Sequence, residues 1–217
     1  MKIFGLIATL ILSFSSFGQK SYYFSEPVFS TTGKMNSIPE KLHGNYKGDK
    51  PGWSIEINEK GIYAVSTTVS SISKETLRES SKYKVKDDFL FGVLENDSVP
   101  CVFENDRYYF GIRNKDLLIG TGSLNVLTKD KTDNTYYLNV SENGYYTPMK
   151  LVFSRKMLEI FYFDYDYETS IFDSVKNQKT IKTKFHDLVI LSPTNDETND
   201  LIFKNVFGLP RTLTLSK

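Results

Sequence analysis

Trp53-Ser54-Ile55-Glu56-Ile57-Asn58-Glu59-Lys60-Gly61-Ile62-Tyr63-Ala64-Val65 decides the fold class. As far as Asn58, apolar Trp53, Ile55 and Ile57 alternate with polar Ser54, Glu56 and Asn58. A period of two gives one dry face and one wet face, as a half-buried strand requires. Glu59-Lys60-Gly61 then reverses the chain into a second strand over Ile62–Thr68. The same grammar returns at Tyr136–Val140, where Ser141-Glu142-Asn143-Gly144 leads into Tyr145–Phe153. Asn-Gly suits a tight hairpin because both residues accept positive φ.

Further strands are expected near Ser21–Phe24, Lys82–Val85, Phe89–Leu94, Val99–Glu104, Arg107–Arg113 and Leu124–Thr128. Turn residues separate them: Asp87-Asp88, Asn96-Asp97, Asn105-Asp106 and Asn114-Lys115-Asp116, whose side chains bond nearby backbone. Leu158–Tyr167 reads as a strong strand, followed by weaker ones at Thr180–Phe185, Leu188–Leu191, Leu201–Lys204 and Thr212–Leu215. Short apolar runs punctuated this often are the mark of an antiparallel sandwich or barrel. Ser73–Ser80 is the one helix candidate, with Ser73 as its cap and Glu75 favourable in its first turn. Asn195–Asp200 reads as an acidic polar loop. The expectation is an all-β antiparallel meander, closed as a barrel or folded as a two-sheet sandwich, with at most one short helix. It occupies 42–217 as a single domain, preceded by a lead-in segment over 19–41.

The first residues carry a different pattern. Lys2 precedes an apolar run from Ile3 to Leu12, the charged and apolar regions of a secretory signal. Ser16 and Gly18 supply the small side chains that signal peptidase needs, so the leader is expected at 1–18. That run is shorter than the roughly 20 residues that span a bilayer, and no later stretch reaches that length. The expected location is periplasmic or extracellular, with no integral membrane segment after cleavage. The single cysteine, Cys101, cannot make an intramolecular disulfide and sits in the apolar run Val99-Pro100-Cys101-Val102-Phe103, so burial is expected. The net charge of +1 gives no basic excess to recruit phosphate backbones, and no nucleic-acid partner is expected. Strands of five to seven residues interrupted by Lys or Glu do not suit an outer-membrane barrel.

No motif for catalysis or for a cofactor stands out. His43 and His186 belong to no metal-ligand spacing. Gly120-Thr121-Gly122-Ser123 lacks the third glycine and the helix of a dinucleotide fingerprint, and reads as a turn. Phe161–Glu168 is more distinctive. Alternation puts Phe161, Phe163, Tyr165 and Tyr167 on one face, and Tyr162, Asp164, Asp166 and Glu168 on the other. Three carboxylates in a row make Asp164, Asp166 and Glu168 the candidate metal ligands, for a hard cation such as calcium. An acid/base pair and a plain solvated face are the alternatives. Tyrosines come as neighbours at Tyr108-Tyr109, Tyr136-Tyr137 and Tyr145-Tyr146, so one of each pair is expected to face outward or into a cavity.

Leu42-His43-Gly44-Asn45-Tyr46, followed closely by Trp53, resembles the opening of lipocalin-like barrels, with Tyr46 where their G-x-W motif carries Trp. The resemblance implies an up-and-down barrel with an apolar cup, whose floor the aromatic closes. Candidate ligand-binding residues are Tyr46, Trp53, Tyr109, Tyr137 and Tyr146. The first functional expectation is an exported non-catalytic binding or carrier module for an apolar or glycan ligand in the bacterial envelope. The alternatives are an accessory envelope protein acting through contacts with a protein partner, and a hydrolase using the strand carboxylates.

Overall fold

The computed structural model describes residues 20–28, 33–49, 51–95, 97–132, 134–163, 169–184, 186–203 and 206–216. The leader at 1–18 and the carboxylates Asp164, Asp166 and Glu168 lie outside the described residues.

The chain is all-β, built as one sheet in which nearly every neighbour is antiparallel. Its central meander runs β2 (Gly44–Lys47), β3 (Trp53–Asn58) and β4 (Gly61–Ser73), with β15 (Arg211–Ser216) on the far side of β2. β15 passes the sheet on to β12 (Met157–Tyr162) and β11 (Tyr145–Ser154). β11 is shared: one edge takes β10 (Thr135–Glu142), which in turn pairs β9 (Val126–Lys129). Its other edge takes β12, and at Tyr146 it takes β1 (Lys20–Phe24). β14 (Asp187–Leu191) and β13 (Gln178–Lys182) finish that side.

The sheet curls, and side chains from β3, β4, β10, β11, β12 and β15 meet in one core: Ile55, Ile57, Ile62, Tyr136, Leu138, Leu151, Leu158 and Leu213 among them. Of the barrel and the sandwich expected from the sequence, the closed barrel is not found: the sheet stays open, as in a sandwich-like arrangement, because the strand order does not return on itself through hydrogen bonds. The lead-in segment borders the gap, with Lys34 bridging Thr128 and Met35 N–H donating to the Leu127 carbonyl at 3.0 Å.

β10 is buried on both faces, which explains why Tyr136 and Tyr137 are both inaccessible although they are neighbours. Tyr137 points into a second core with Tyr22, Phe24, Phe172, Val189, Leu191 and Phe207. The expectation that one tyrosine of that pair faces solvent or a cavity therefore fails: lead-in and C-terminal residues cover the other face. β1 also departs from an antiparallel meander, since it pairs β14 in parallel from Lys20 opposite Asp187 to Phe24 opposite Leu191.

β4 pairs β8 (Arg107–Gly120) over a long ribbon, which projects from the main core. Its end carries α1 (Lys74–Glu79), β5 (Lys84–Lys86), β6 (Phe89–Leu94) and β7 (Asp97–Glu104) around a third core of Leu90, Val99 and Cys101. Cys101 is buried there, as its apolar setting predicts. Ser73 caps α1 as expected, accepting from the Thr76 N–H at 3.0 Å. Asn114-Lys115-Asp116 is not a turn but continues β8 opposite Ala64–Ser66, as an edge segment whose own side chains are exposed and carry no apolar alternation. The segment Asn195–Phe203 is a second helix, α2, rather than a loop followed by a strand at Leu201–Lys204.

Candidate functional site

The apolar residues that alternation turns inward do not fill the curl completely. They leave a cavity of about 160 Å³ lined by Trp53, Ile55, Ile57, Ile62, Ala64, Leu118, Leu138, Met149, Leu151, Leu158, Ile160 and Tyr162. Only the Trp53 indole and the Tyr162 hydroxyl bring polar atoms to this wall, apart from the thioether of Met149. Its two ends differ. At the buried end, Tyr136 and Tyr46 each meet Phe153 edge to face, with centroids 5.6 and 5.9 Å apart. At the other end Tyr162 is 41% exposed and Trp53 half-buried, so these two rings form the mouth.

Strand register explains this placement. Trp53, Ile55 and Ile57 share a face of β3, and Ile55 lies opposite Ala64 while Ile57 lies opposite Ile62. Across the curl, Met149 lies opposite Tyr162 and Leu151 opposite Ile160. Beside the mouth stands Arg211, opposite Ile160 on β15, with its guanidinium 4.6 Å from the Trp53 ring centroid.

Of the five candidate ligand-binding residues, Trp53 alone lines the cavity. Tyr46 belongs to the adjoining core, 4% exposed, with its hydroxyl donating to the Leu42 carbonyl at 3.0 Å. Burial pushes its phenol above the usual tyrosine range. Tyr137 is in the second core, where burial first, and then the charge and hydrogen bond of Asp130, raise its phenol strongly. Tyr146 packs partly buried against the same second core. Tyr109 lies on the projecting ribbon, opposite Ser71 and Val102. The structure thus distributes the five over separate regions. Ile57, Leu118, Met149 and Ile160 were not singled out as site residues by sequence, although alternation already assigned Ile57 to a dry face.

Larger hollows are open grooves of a different character. One of about 450 Å³ lies between the lead-in at Lys34–Ile38 and the turn Gly120-Thr121-Gly122-Ser123, with Glu59, Lys60 and Asn125 on its walls. Ligand sites are mostly apolar concavities with a few convergent polar groups, so the smaller apolar cavity fits that description better than this polar groove. Gly120–Ser123 is a turn, as read from the sequence: Ser123 N–H donates to the Gly120 carbonyl at 3.1 Å. Among the described residues no group of three His, Cys, Asp or Glu side chains could hold a metal ion.

The exposed face of the arm is also unusual. Register puts Phe89, Phe91, Pro100, Val102, Tyr109 and Val69 on the face opposite Leu90, Val99 and Cys101. Phe89, Phe91, Val102 and Val69 are 43, 41, 68 and 72% exposed, which puts exposed apolar side chains on three strands of this face.

These features define a class: an open, curled all-β sheet with a small apolar cup and a projecting β-arm. Comparison with protein-family models, curated proteins and solved structures finds no match for the chain.

Proposed function

We propose that the chain is an exported, non-catalytic binding module that takes a small apolar ligand, or the apolar end of a larger one, into the cup. The observation that carries this is the cavity of about 160 Å³ walled by aliphatic side chains, with an aromatic mouth. An engineered apolar cavity of roughly 150 Å³ stays dry and takes up benzene, which sets the scale of what fits here. The wall favours an apolar ligand over a glycan, since a sugar would leave its hydroxyls without partners against Ile55, Leu118 and Leu138. The charged and apolar pattern of residues 1–18 supports a location in the bacterial envelope or outside the cell. The likeness to lipocalin-like barrels extends, on this reading, to a curled sheet around a cup.

Thermal unfolding with compact apolar probes tests it. A probe at a hundred times its Kd stabilises the native state by about 2.7 kcal/mol and raises Tm accordingly. Ala64→Leu fills the cavity with the volume the probe would occupy, and is expected to abolish the rise while the protein stays folded. An equal rise in wild type and Ala64→Leu would remove the cup as the site.

The exposed apolar face of the arm supports a second reading, an accessory role through a protein partner, because apolar surface of this kind marks interaction sites. The two separate cleanly. Phe89→Ser with Val102→Ser would abolish partner binding and leave the Ala64-dependent rise in Tm untouched.

A further inference from the structure

The proposed function leaves open what the mouth of the cup recognises, and Arg211 supplies an answer. β15 carries Arg211 and Leu213 on the inward face: Leu213 is fully buried in the main core, while Arg211, one turn of the pleat further out, is exposed beside the mouth. Its guanidinium lies 4.6 Å from the centroid of the Trp53 ring. A guanidinium over an indole ring is held by the ring's charge distribution without using its N–H donors on a hydrogen-bond acceptor. Among the described residues, ion pairs join Arg113 and Lys115 to Glu56, and none reaches Arg211. Asp116, opposite Ala64 on the cup side of the ribbon, is out of ion-pair reach of Arg211. A cation held by an indole at the rim of an apolar cavity, in no ion pair among the described residues, is complementary to an anion joined to an apolar body. Arginine presents parallel donors that match a carboxylate in pairs.

We propose that the cup selects anionic amphiphiles: a compact apolar body enters among Ile55, Leu118, Leu138 and Ile160, and a carboxylate or similar anionic head meets Arg211 at the Trp53 edge. This rests on the cup being the binding site, and it assigns the ligand class. The reading also explains why the mouth is aromatic and cationic while the interior is aliphatic.

Trp53 is the only tryptophan in the chain, so its emission reports events at the mouth without interference. The full-length chain would be titrated at pH 7 with hexanoate, hexan-1-ol and hexylamine, following Trp53 emission and, independently, heat of binding by calorimetry. Hexanoate is expected to bind about tenfold or more tighter than hexanol, and hexylamine more weakly than either. Added salt should erode the advantage of hexanoate and leave hexanol unchanged. Arg211→Gln should bring hexanoate down to hexanol or below, while Arg211→Lys, which keeps the charge and loses the fork, should retain part of the preference. Equal affinity of hexanoate and hexanol in wild type, with both lost in Ala64→Leu, would overturn the assignment to Arg211 and leave the cup intact. Absence of binding by all three would overturn both.

Discussion

Asn139 shows at the scale of one residue how this sheet accepts the lead-in. It is fully buried in a strand covered on both faces, where an uncompensated amide would be costly. Its Oδ1 accepts from the Val28 N–H at 2.9 Å, and its Nδ2 donates to the Val126 carbonyl and to Thr128 Oγ1, each at 3.2 Å. Thr128, also fully buried, donates to the Val28 carbonyl at 2.8 Å. Both backbone groups of Val28 are thus met by side chains from β9 and β10, in place of a neighbouring strand. Asn139→Ala would leave buried donors and acceptors unmet, each costing about 1–3 kcal/mol. Urea unfolding should show a loss of stability of about that size, with sub-additive loss when combined with Thr128→Val. Additive losses would mean that the two side chains act separately. The sequence did not reveal this pair, because Asn139 and Thr128 look like ordinary wet positions until the second layer is known to cover them.

At the scale of elements, local chemistry that the chain writes into adjacent residues was legible, and the rest was not. Non-glycine residues with positive φ are all Asn or Asp, including Asp87, Asp88, Asn105, Asp106 and Asn143. These five sit in two-residue hairpin loops that were read as turns, whereas the sixth among the described residues, Asn134, lies in the longer β9–β10 connection and was not. Strands β3 and β6 have the ends the sequence assigned. The long continuation of β8 was missed because Asn114-Lys115-Asp116 are exposed side chains on an edge segment, with no apolar period of their own. Helix α2 was missed although a signal was present. Thr194 and Glu197 form a capping box: Glu197 Oε2 accepts from the Thr194 N–H at 2.8 Å, and Thr194 Oγ1 accepts from the Glu197 N–H at 3.3 Å. Thr194→Ala should cost about 1 kcal/mol by chemical denaturation, with loss of helical signal confined to α2. Hydrogen bonds from the Thr194 and Lys176 N–H groups hold the Glu197 carboxyl below its ordinary 4.5. Its contribution is therefore present above that value and is lost as pH falls through the lower folded value. Glu197→Gln should flatten the acid limb of the stability profile at those pH values.

For the whole molecule, three cores share one sheet, and each buries a group that ionises at high pH. Burial raises the Cys101 thiol above its ordinary 9.0, with the Asp88 charge adding to it, and burial raises Tyr46 above its ordinary 10.0. Tyr137 is raised furthest. Because the folded values lie above the unfolded ones, the stabilisation is complete below about pH 9 and is lost as pH climbs through the folded values. Absorbance titration should show Tyr46 and Tyr137 ionising only as the protein unfolds. Tyr137→Phe should delete part of that late phase. The cup depends on the same curvature that makes these cores: an open sheet bends far enough for β3 and β4 to face β11 and β12, yet leaves about 160 Å³ unfilled. Crystals held under xenon pressure give the most direct test. One xenon atom bound among Ile55, Leu118, Leu138 and Leu158, and lost in Ala64→Leu, is the result expected of a pre-formed apolar cup. Electron density showing those side chains in contact across the curl, with no xenon between them, would contradict it.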